Sequence, residues 1–354
     1  MSSLLEEVTA TTVEAYQCTV CSSIFSSRNK LFKHIKQCSS SSSSLSLSNI
    51  ETLTPCDTEL QEYLCNNEKK DLVIYISGGR VRGRTLKSVE FFSFRSNKWE
   101  LLKTSMRYHR GSHGMVSIGT DLYVIGGGGL ESNISNCEKY NTITDEWISI
   151  AATPSCRHAL SVVKTPKAIY ALGGYVDGSQ NSASCERYDI DKNEWSICAS
   201  MKVSRRLLGV CYHSDDDCIY TFGGSIDDGE WYTNAVECYN IVTDTWSHKK
   251  NLPLAGPTSV ISINGYMYIF VHGKKVLKYN PISDEYEEKC NLPLNDWNCF
   301  TITNFNNLVF LTGGATKLTY QSFWIYNTST NQWKEMPYMI KQRRRAAASL
   351  VFLE

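Results

Sequence analysis

Four residues with the chemistry of soft-metal ligands stand close together near the start of the chain. They are Cys18, Cys21, His34 and Cys38, spaced Cys-x2-Cys-x12-His-x3-Cys. Thiolates and imidazole at this spacing suit tetrahedral zinc. The first pair fits a tight hairpin, and His34 and Cys38, four apart, share one face of a helix. Tyr16, Phe25 and Leu31 are the apolar residues available to this segment. A unit this short buries too little surface to fold alone, so one bound zinc ion is expected to supply the remaining folding free energy. The same stretch holds Arg28, Lys30, Lys33 and Lys36 and no acid. A basic helix of that kind suits phosphate contact, which makes DNA or RNA one expected partner.

Elsewhere the sequence holds no catalytic constellation with the required spacing. There is no phosphate-binding glycine loop with a following Lys-Ser/Thr, no Gly-x-Ser-x-Gly and no His-Glu-x-x-His. His109, His113, His158 and His213 read as satisfied polar residues near strand ends. Cys137 and Cys185 fall at equivalent points of neighbouring segments, as buried packing residues would. Glu90, Glu138, Glu186 and Glu237 also recur in register, which points to hydrogen bonding between structural units rather than to one active site. An enzyme is therefore not expected, nor is a small-molecule substrate.

The elements that carry these residues repeat. An apolar run ends in a glycine pair at "LVIYISGG", "DLYVIGG", "AIYALGG", "CIYTFGG" and "LVFLTGG", with "YMYIFVHG" as a variant. The last Gly falls at 79, 127, 174, 224, 273 and 314, a period of about 48 residues with one short step. Each glycine pair is followed by a strand with an aromatic residue, such as "CEKYNT" or "CERYDI". A Trp comes next, at 99, 147, 195, 246 and 333, with Tyr286 in the fifth copy. Four short apolar runs per copy read as four antiparallel strands. One such sheet cannot bury both faces. Sheets packed radially against their neighbours can, and this period with four strands per unit means a propeller.

With the glycine pair, the later Tyr and the later Trp, residues 71–354 resemble kelch repeats. The expected fold is all-β, a six-bladed kelch β-propeller. The first copy lacks an innermost strand, and "RRRAAASLVFLE" at the end matches that strand type, so the C-terminal strand should close the first blade. Residues 16–38 resemble a classical ββα zinc finger of C2HC type. In that family helix positions matching Ser27, Lys30 and Lys33 contact bases. One finger covers only about three base pairs, so a protein-binding finger is at least an equal reading.

Two loop classes should emerge at one end of the ring. One follows the glycine pairs and the other precedes the innermost strands, sixteen residues before the first Gly in several copies. Together they would bring Arg80, Arg82, Arg84, Arg110, Arg157, Arg205 and Arg206 to one face, with Tyr175, Trp231, Tyr232 and Trp297. Arg345 would be the sixth member of the second class. Arginine among exposed aromatics is the composition of interface hot spots, and guanidinium forks match carboxylates. The expected ligand is an acidic peptide segment of a protein partner.

The propeller is similar to those of the kelch-like family. That resemblance implies a non-enzymatic adaptor whose ring recognises substrates for a cullin-based ubiquitin ligase. The BTB and BACK domains that recruit the cullin in that family do not fit in the first 70 residues. The expected organisation is an N-terminal segment 1–15, the finger 16–38, a Ser-rich linker 39–70 with a short helix near 57–65, and the propeller 71–354. The alternative function is a nucleic-acid-associated regulator acting through the finger. Equal numbers of basic and acidic residues, 36 of each, give a formal net charge of zero. No apolar run is long enough to span a membrane. With no export signal at the N-terminus, the 14 Cys suit a reducing compartment, so an intracellular location, cytoplasmic or nuclear, is expected.

Overall fold

The computed structural model describes residues 16–17, 24–25, 55–67, 70–130, 132–176, 180–227, 231–316 and 320–353. Two compact units are present, residues 1–72 with 353–354 and residues 73–352. In the first, Tyr16–Gln17 pairs antiparallel with Ile24–Phe25, so two strands flank the segment containing Cys18 and Cys21. The four expected zinc ligands and Arg28, Lys30, Lys33 and Lys36 lie outside the described residues. The helix expected near 57–65 spans Pro55–Asn66. It begins two residues before Asp57, because proline is favoured in a first helical turn, where its missing N–H would be unsatisfied anyway. Leu60 and Leu64, one turn apart, are buried. No helix among the described residues is long and apolar enough to cross a membrane.

Six four-stranded antiparallel sheets account for most of the remaining described residues. Sheet one comprises Ala347–Leu353, Asp71–Ser77, Val89–Ser93 and Lys98–Leu101, in that spatial order. Sheet two comprises Gly114–Ile118, Asp121–Ile125, Cys137–Asn141 and Glu146–Ile150. Sheets three to six follow the same order, with first strands Ser161–Lys164, Gly209–His213, Thr258–Ile263 and Asn298–Phe305. The chain's last strand thus lies beside its Asp71–Ser77 strand.

Burial follows strand position. All of Ala168–Leu172, a second strand, is buried, while every residue of Glu194–Cys198, the fourth strand of the same sheet, is half-buried or exposed. A continuous apolar second strand is what a sheet covered on both faces requires. The glycine pairs end these strands with both residues at positive φ, as at Gly78 (57°) and Gly79 (95°). A Cβ at Gly78 would come within 2.4 Å of the Arg110 carbonyl oxygen, so both backbone conformation and space exclude other residues.

Neighbouring sheets are joined by the aromatic landmarks. Tyr140, Tyr188, Tyr239, Tyr279 and Tyr326 are almost fully buried. Each donates its hydroxyl to the residue five positions on: Asp145, Asn193, Asp244, Asp284 and Asn331. All five acceptors sit in the left-handed region, with φ between 52° and 60°. Asp and Asn tolerate that conformation better than most residues. The Trp side chains reach the preceding sheet: Trp195 Nε1 donates to Ala151 O at 2.9 Å and Trp246 Nε1 to Ala199 O at 2.7 Å. Trp99 Nε1 donates to Pro337 O at 2.8 Å, linking sheet one to the segment after sheet six. In sheet five the Tyr286 hydroxyl takes over the role, donating to Lys250 O at 2.6 Å.

First strands are tied side to side as well. Ser117 Oγ donates to Leu350 O at 2.6 Å, and Ala348 N donates to Thr301 Oγ1 at 3.1 Å. These contacts place sheet one between sheets six and two. Many four-stranded antiparallel sheets arranged in this way fit a β-propeller.

Candidate partner-binding face

The recurring arginines and glutamates meet. Arg110 Nη2 lies 2.8 Å from Glu138 Oε2, Arg157 Nη2 2.5 Å from Glu186 Oε2, and Arg205 Nη2 2.7 Å from Glu237 Oε2. A fourth pair joins Arg343 Nε to Glu90 Oε1 at 2.5 Å. All four guanidinium groups have 0% exposure. Their Nη1 groups serve glycine-pair carbonyls: Arg110 Nη1 donates to Gly126 O, Arg157 Nη1 to Gly173 O and Arg343 Nη1 to Gly78 O. The glutamates also accept from backbone, as Glu138 does from Arg107 N and Glu237 from Lys202 N. Burial lowers the pKa of all four arginines, against the pull of their carboxylates, and that of Arg205 falls to about 10.

This overturns part of the expected face. Arg110, Arg157 and Arg205 point into the sheets, where a carboxylate and carbonyls hold them, and are unavailable to a partner. Trp297, also 0% exposed, is corrected in the same way. It occupies the arginine position in sheet six, and its Nε1 donates to Gly313 O at 2.8 Å. The member contributed by the C-terminal segment is Arg343, two residues before the expected Arg345. Arg343 and its partner Glu90 complete a recurring pair whose two halves were both visible as repeats.

Two residues after each of these positions the chain enters the left-handed region, at Ser112, Ala159, Leu207, Cys299 and Arg345, with φ from 53° to 59°. A run of hydrogen bonds passes through them in one rotational sense. Ser112 N donates to Arg345 O, Ala159 N to Ser112 O, Leu207 N to Ala159 O, Thr258 N to Leu207 O, and Arg345 N to Cys299 O. In sheet five Thr258 is the donor of this run, and the carbonyl of the preceding Pro257 is taken by His272 N at 3.0 Å. Cys299 N instead donates to His272 Nδ1 at 3.3 Å. The His272 proton therefore resides on Nε2, which donates to Ser259 Oγ at 2.9 Å. A cavity of about 210 Å³ opens here, bounded by residues of all six sheets and by no acidic side chain.

The other expected contact residues remain accessible. Arg82 and Arg84 are exposed and Arg80 is half-buried. Trp231 is 70% and Tyr232 41% exposed. Arg206 lies over the half-buried Tyr175 ring at 4.7 Å, a cation–π contact. Tyr175 also meets the His158 ring at 5.4 Å, and His158 Nδ1 is 2.7 Å from Asn133 Oδ1. His109 pairs with Thr85 O, His113 with Ser77 Oγ and His213 with Asp216 Oδ1, as structural histidines do. Cys137 and Cys185 are buried in apolar clusters between sheets. Burial raises the Cys137 thiol to about 11, so it is an inert packing group. Among the described residues there is no cluster of three or more His, Cys, Asp or Glu able to hold a metal.

The fold and this loop face define a β-propeller built from repeated four-stranded units. The kelch motif matches residues 71–106, 109–154, 156–202, 206–253 and 297–340, more than half of the chain, and the protein belongs to the kelch-repeat family. The match omits 254–296, where His272 and Tyr286 replace the usual Gly and Trp. The chain is similar to mouse Kelch-like protein 35, 28% identical over 68% of this chain and 42% of that protein. It is also similar to human Kelch-like protein 38, 24% identical over 75% of this chain and 47% of the relative. Zebrafish Kelch-like protein 26 is 28% identical over 51% and 30% respectively. The chain thus spans less than half the length of these curated relatives.

Proposed function

We propose that the six sheets form one closed six-bladed kelch propeller, and that it acts as a non-enzymatic scaffold binding a protein partner through its loop face. The observation that carries this reading is the accessible set Arg80, Arg82, Arg84, Tyr175, Arg206, Trp231 and Tyr232 at one end of the propeller. Guanidinium groups beside exposed aromatics are suited to an acidic segment. The similarity to kelch-like proteins supports an adaptor role, with substrate recognition for ubiquitination as its natural use. A pull-down from lysate with the intact chain and with Trp231→Ala plus Arg206→Ala tests this. The double variant should lose captured protein, and retention of every partner at wild-type level refutes the face.

Residues 16–38 are proposed to hold one zinc ion through Cys18, Cys21, His34 and Cys38. The paired strands around Cys18 and Cys21 are compatible with a zinc-finger hairpin. Zinc there would supply folding free energy and no reaction step. Whether this finger holds nucleic acid or protein is decided by salt. An affinity for an oligonucleotide that falls steeply with salt and vanishes in Cys18→Ser makes it the nucleic-acid element.

A further inference from the structure

Blade one presents five arginines at the loop end. Arg80, Arg82 and Arg84 lie on a small hairpin in which Arg80–Val81 pairs with Arg84–Thr85. Arg344 and Arg345 precede the closing strand. The two segments are bridged by backbone, Arg80 N donating to Arg344 O at 2.8 Å and Arg344 N to Arg80 O at 3.1 Å. After burial, the neighbouring charges of Arg345 and Arg344 are what lower the Arg80 pKa. In a chain with zero formal net charge this is a local accumulation.

The contrast with the buried arginines is informative. Each of those has a glutamate. Among the described residues, none of these five guanidinium groups has an ion pair or hydrogen bond; a buried Nε without an acceptor, as in Arg80 and Arg345, is shared with Arg110, Arg157 and Arg205, but the missing carboxylate is not. The Arg80 side chain is fixed nonetheless. It lies across Gly111 and Gly128, where an added Cβ would come 2.9 Å from Arg80 Cγ and 2.8 Å from its Nη2. Arg82 sits at the hairpin tip with φ of 46°, a place that favours Asn or Gly. Strained backbone and clustered like charges are both unfavourable, and such costs concentrate at binding sites.

An anion with more than one charge offsets this repulsion best. A carboxylate brings one charge, whereas a phosphate monoester brings about −1.5 to −2 and three acceptor oxygens. Guanidinium forks bind phosphate oxygens in pairs. We infer that the Arg80–Arg82–Arg84–Arg344–Arg345 cluster binds the phosphate of a phosphorylated side chain on the protein partner. This rests on the partner-binding reading of the same face and narrows it. A nucleic-acid backbone is disfavoured because the cluster is confined to one blade. Blade five adds only Lys274, whose Nζ donates to Ala255 O at 2.6 Å, and blade six has Asp296 and Asn298 at its loop.

The test titrates the full chain with N-acetyl-O-phosphoserine methylamide, N-acetylglutamate methylamide, inorganic phosphate and a mixed-sequence single-stranded oligonucleotide at one ionic strength. Phosphoserine should bind at least tenfold more tightly than glutamate, and Arg80→Ala with Arg345→Ala should remove that preference. Arg82→Ser with Arg84→Ser, at the exposed hairpin, should weaken it in a chain whose melting temperature is unchanged, which covers failure of the first variant to fold. Equal affinity for phosphoserine and glutamate overturns the phosphate assignment while leaving the acidic-partner reading intact. Binding of neither overturns both. Inorganic phosphate as tight as phosphoserine assigns the site to the free ion, and a tighter oligonucleotide assigns it to nucleic acid; either result overturns the proposal.

Discussion

Glu138 lies between the Arg110 guanidinium and the Arg107 N–H, with no access to water. Removing its charge leaves a desolvated cation. Glu138→Gln should therefore destabilise the protein by about 3–5 kcal/mol in urea denaturation. Replacing both partners with apolar residues of similar volume, Arg110→Met with Glu138→Leu, should restore most of that loss. The chain already shows such replacement. Leu277 stands at the glutamate position of blade five, and blade six has Trp324 there and Trp297 at the arginine position. A cost below about 1 kcal/mol for Glu138→Gln would contradict this account.

His272 makes a second residue-scale prediction. Burial holds its imidazole down at about 3, against about 6.5 in the unfolded chain. Between those values only the unfolded state takes the proton, so stability falls as pH drops through that window. The slope is at most about 1.4 kcal/mol per pH unit, reduced by the partial exposure of His272 in the cavity. His113, lowered by burial and then by the Arg110 and Arg343 charges, adds in the same direction. His272→Asn should flatten the stability-versus-pH curve between about pH 6 and 4 relative to wild type. An unchanged slope would show that His272 titrates normally.

At the scale of the element, the link between blades is the Trp indole reaching a carbonyl of the preceding blade. Trp246→Phe leaves the Ala199 carbonyl without that donor and removes packing volume. A loss of about 1–3 kcal/mol by thermal or urea denaturation is expected. Tyr286→Phe should cost less than Trp246→Phe, because the ring is retained and only the hydroxyl bond to Lys250 O is lost. These links were half legible. The recurrence of Trp and Tyr marked the repeat, and the Tyr286 exception was visible. What the indole and hydroxyl bind was not, because their acceptors are carbonyls, which every residue carries. The arginines failed differently. Counting back from each glycine pair located Arg110, Arg157 and Trp297 correctly as equivalents, since all three donate to a glycine-pair carbonyl. Their inward direction was missed. The signal lay in Glu90, Glu138, Glu186 and Glu237, which recur with the arginines and disappear with them in blades five and six.

For the whole molecule, closure depends on Ala347–Leu353 lying against Asp71–Ser77. Truncation after Arg345 should expose an unpaired strand edge and give aggregation rather than a smaller stable fold, as read by size-exclusion chromatography. A monodisperse truncated chain with wild-type unfolding would refute closure. This pairing was readable because the first copy lacked a strand and the last residues supplied one. The proposed face was only partly readable, since only the fold sorts the loop arginines from the buried ones.

Closed as proposed, the ring has no end from which to unravel, so under load it should part at its weakest joint. Five of the six joints in the hydrogen-bonded run through Ser112, Ala159, Leu207 and Arg345 are amide to carbonyl, and a carbonyl accepts at any pH. The joint between blades five and six is amide to imidazole, and an imidazole that gains a proton becomes a second donor facing the Cys299 N–H. The propeller thus carries a built-in seam at Pro257–His272. Pulled apart or acidified, it should open there first, turning the closed ring into a linear stack that begins with blade six and ends with blade five.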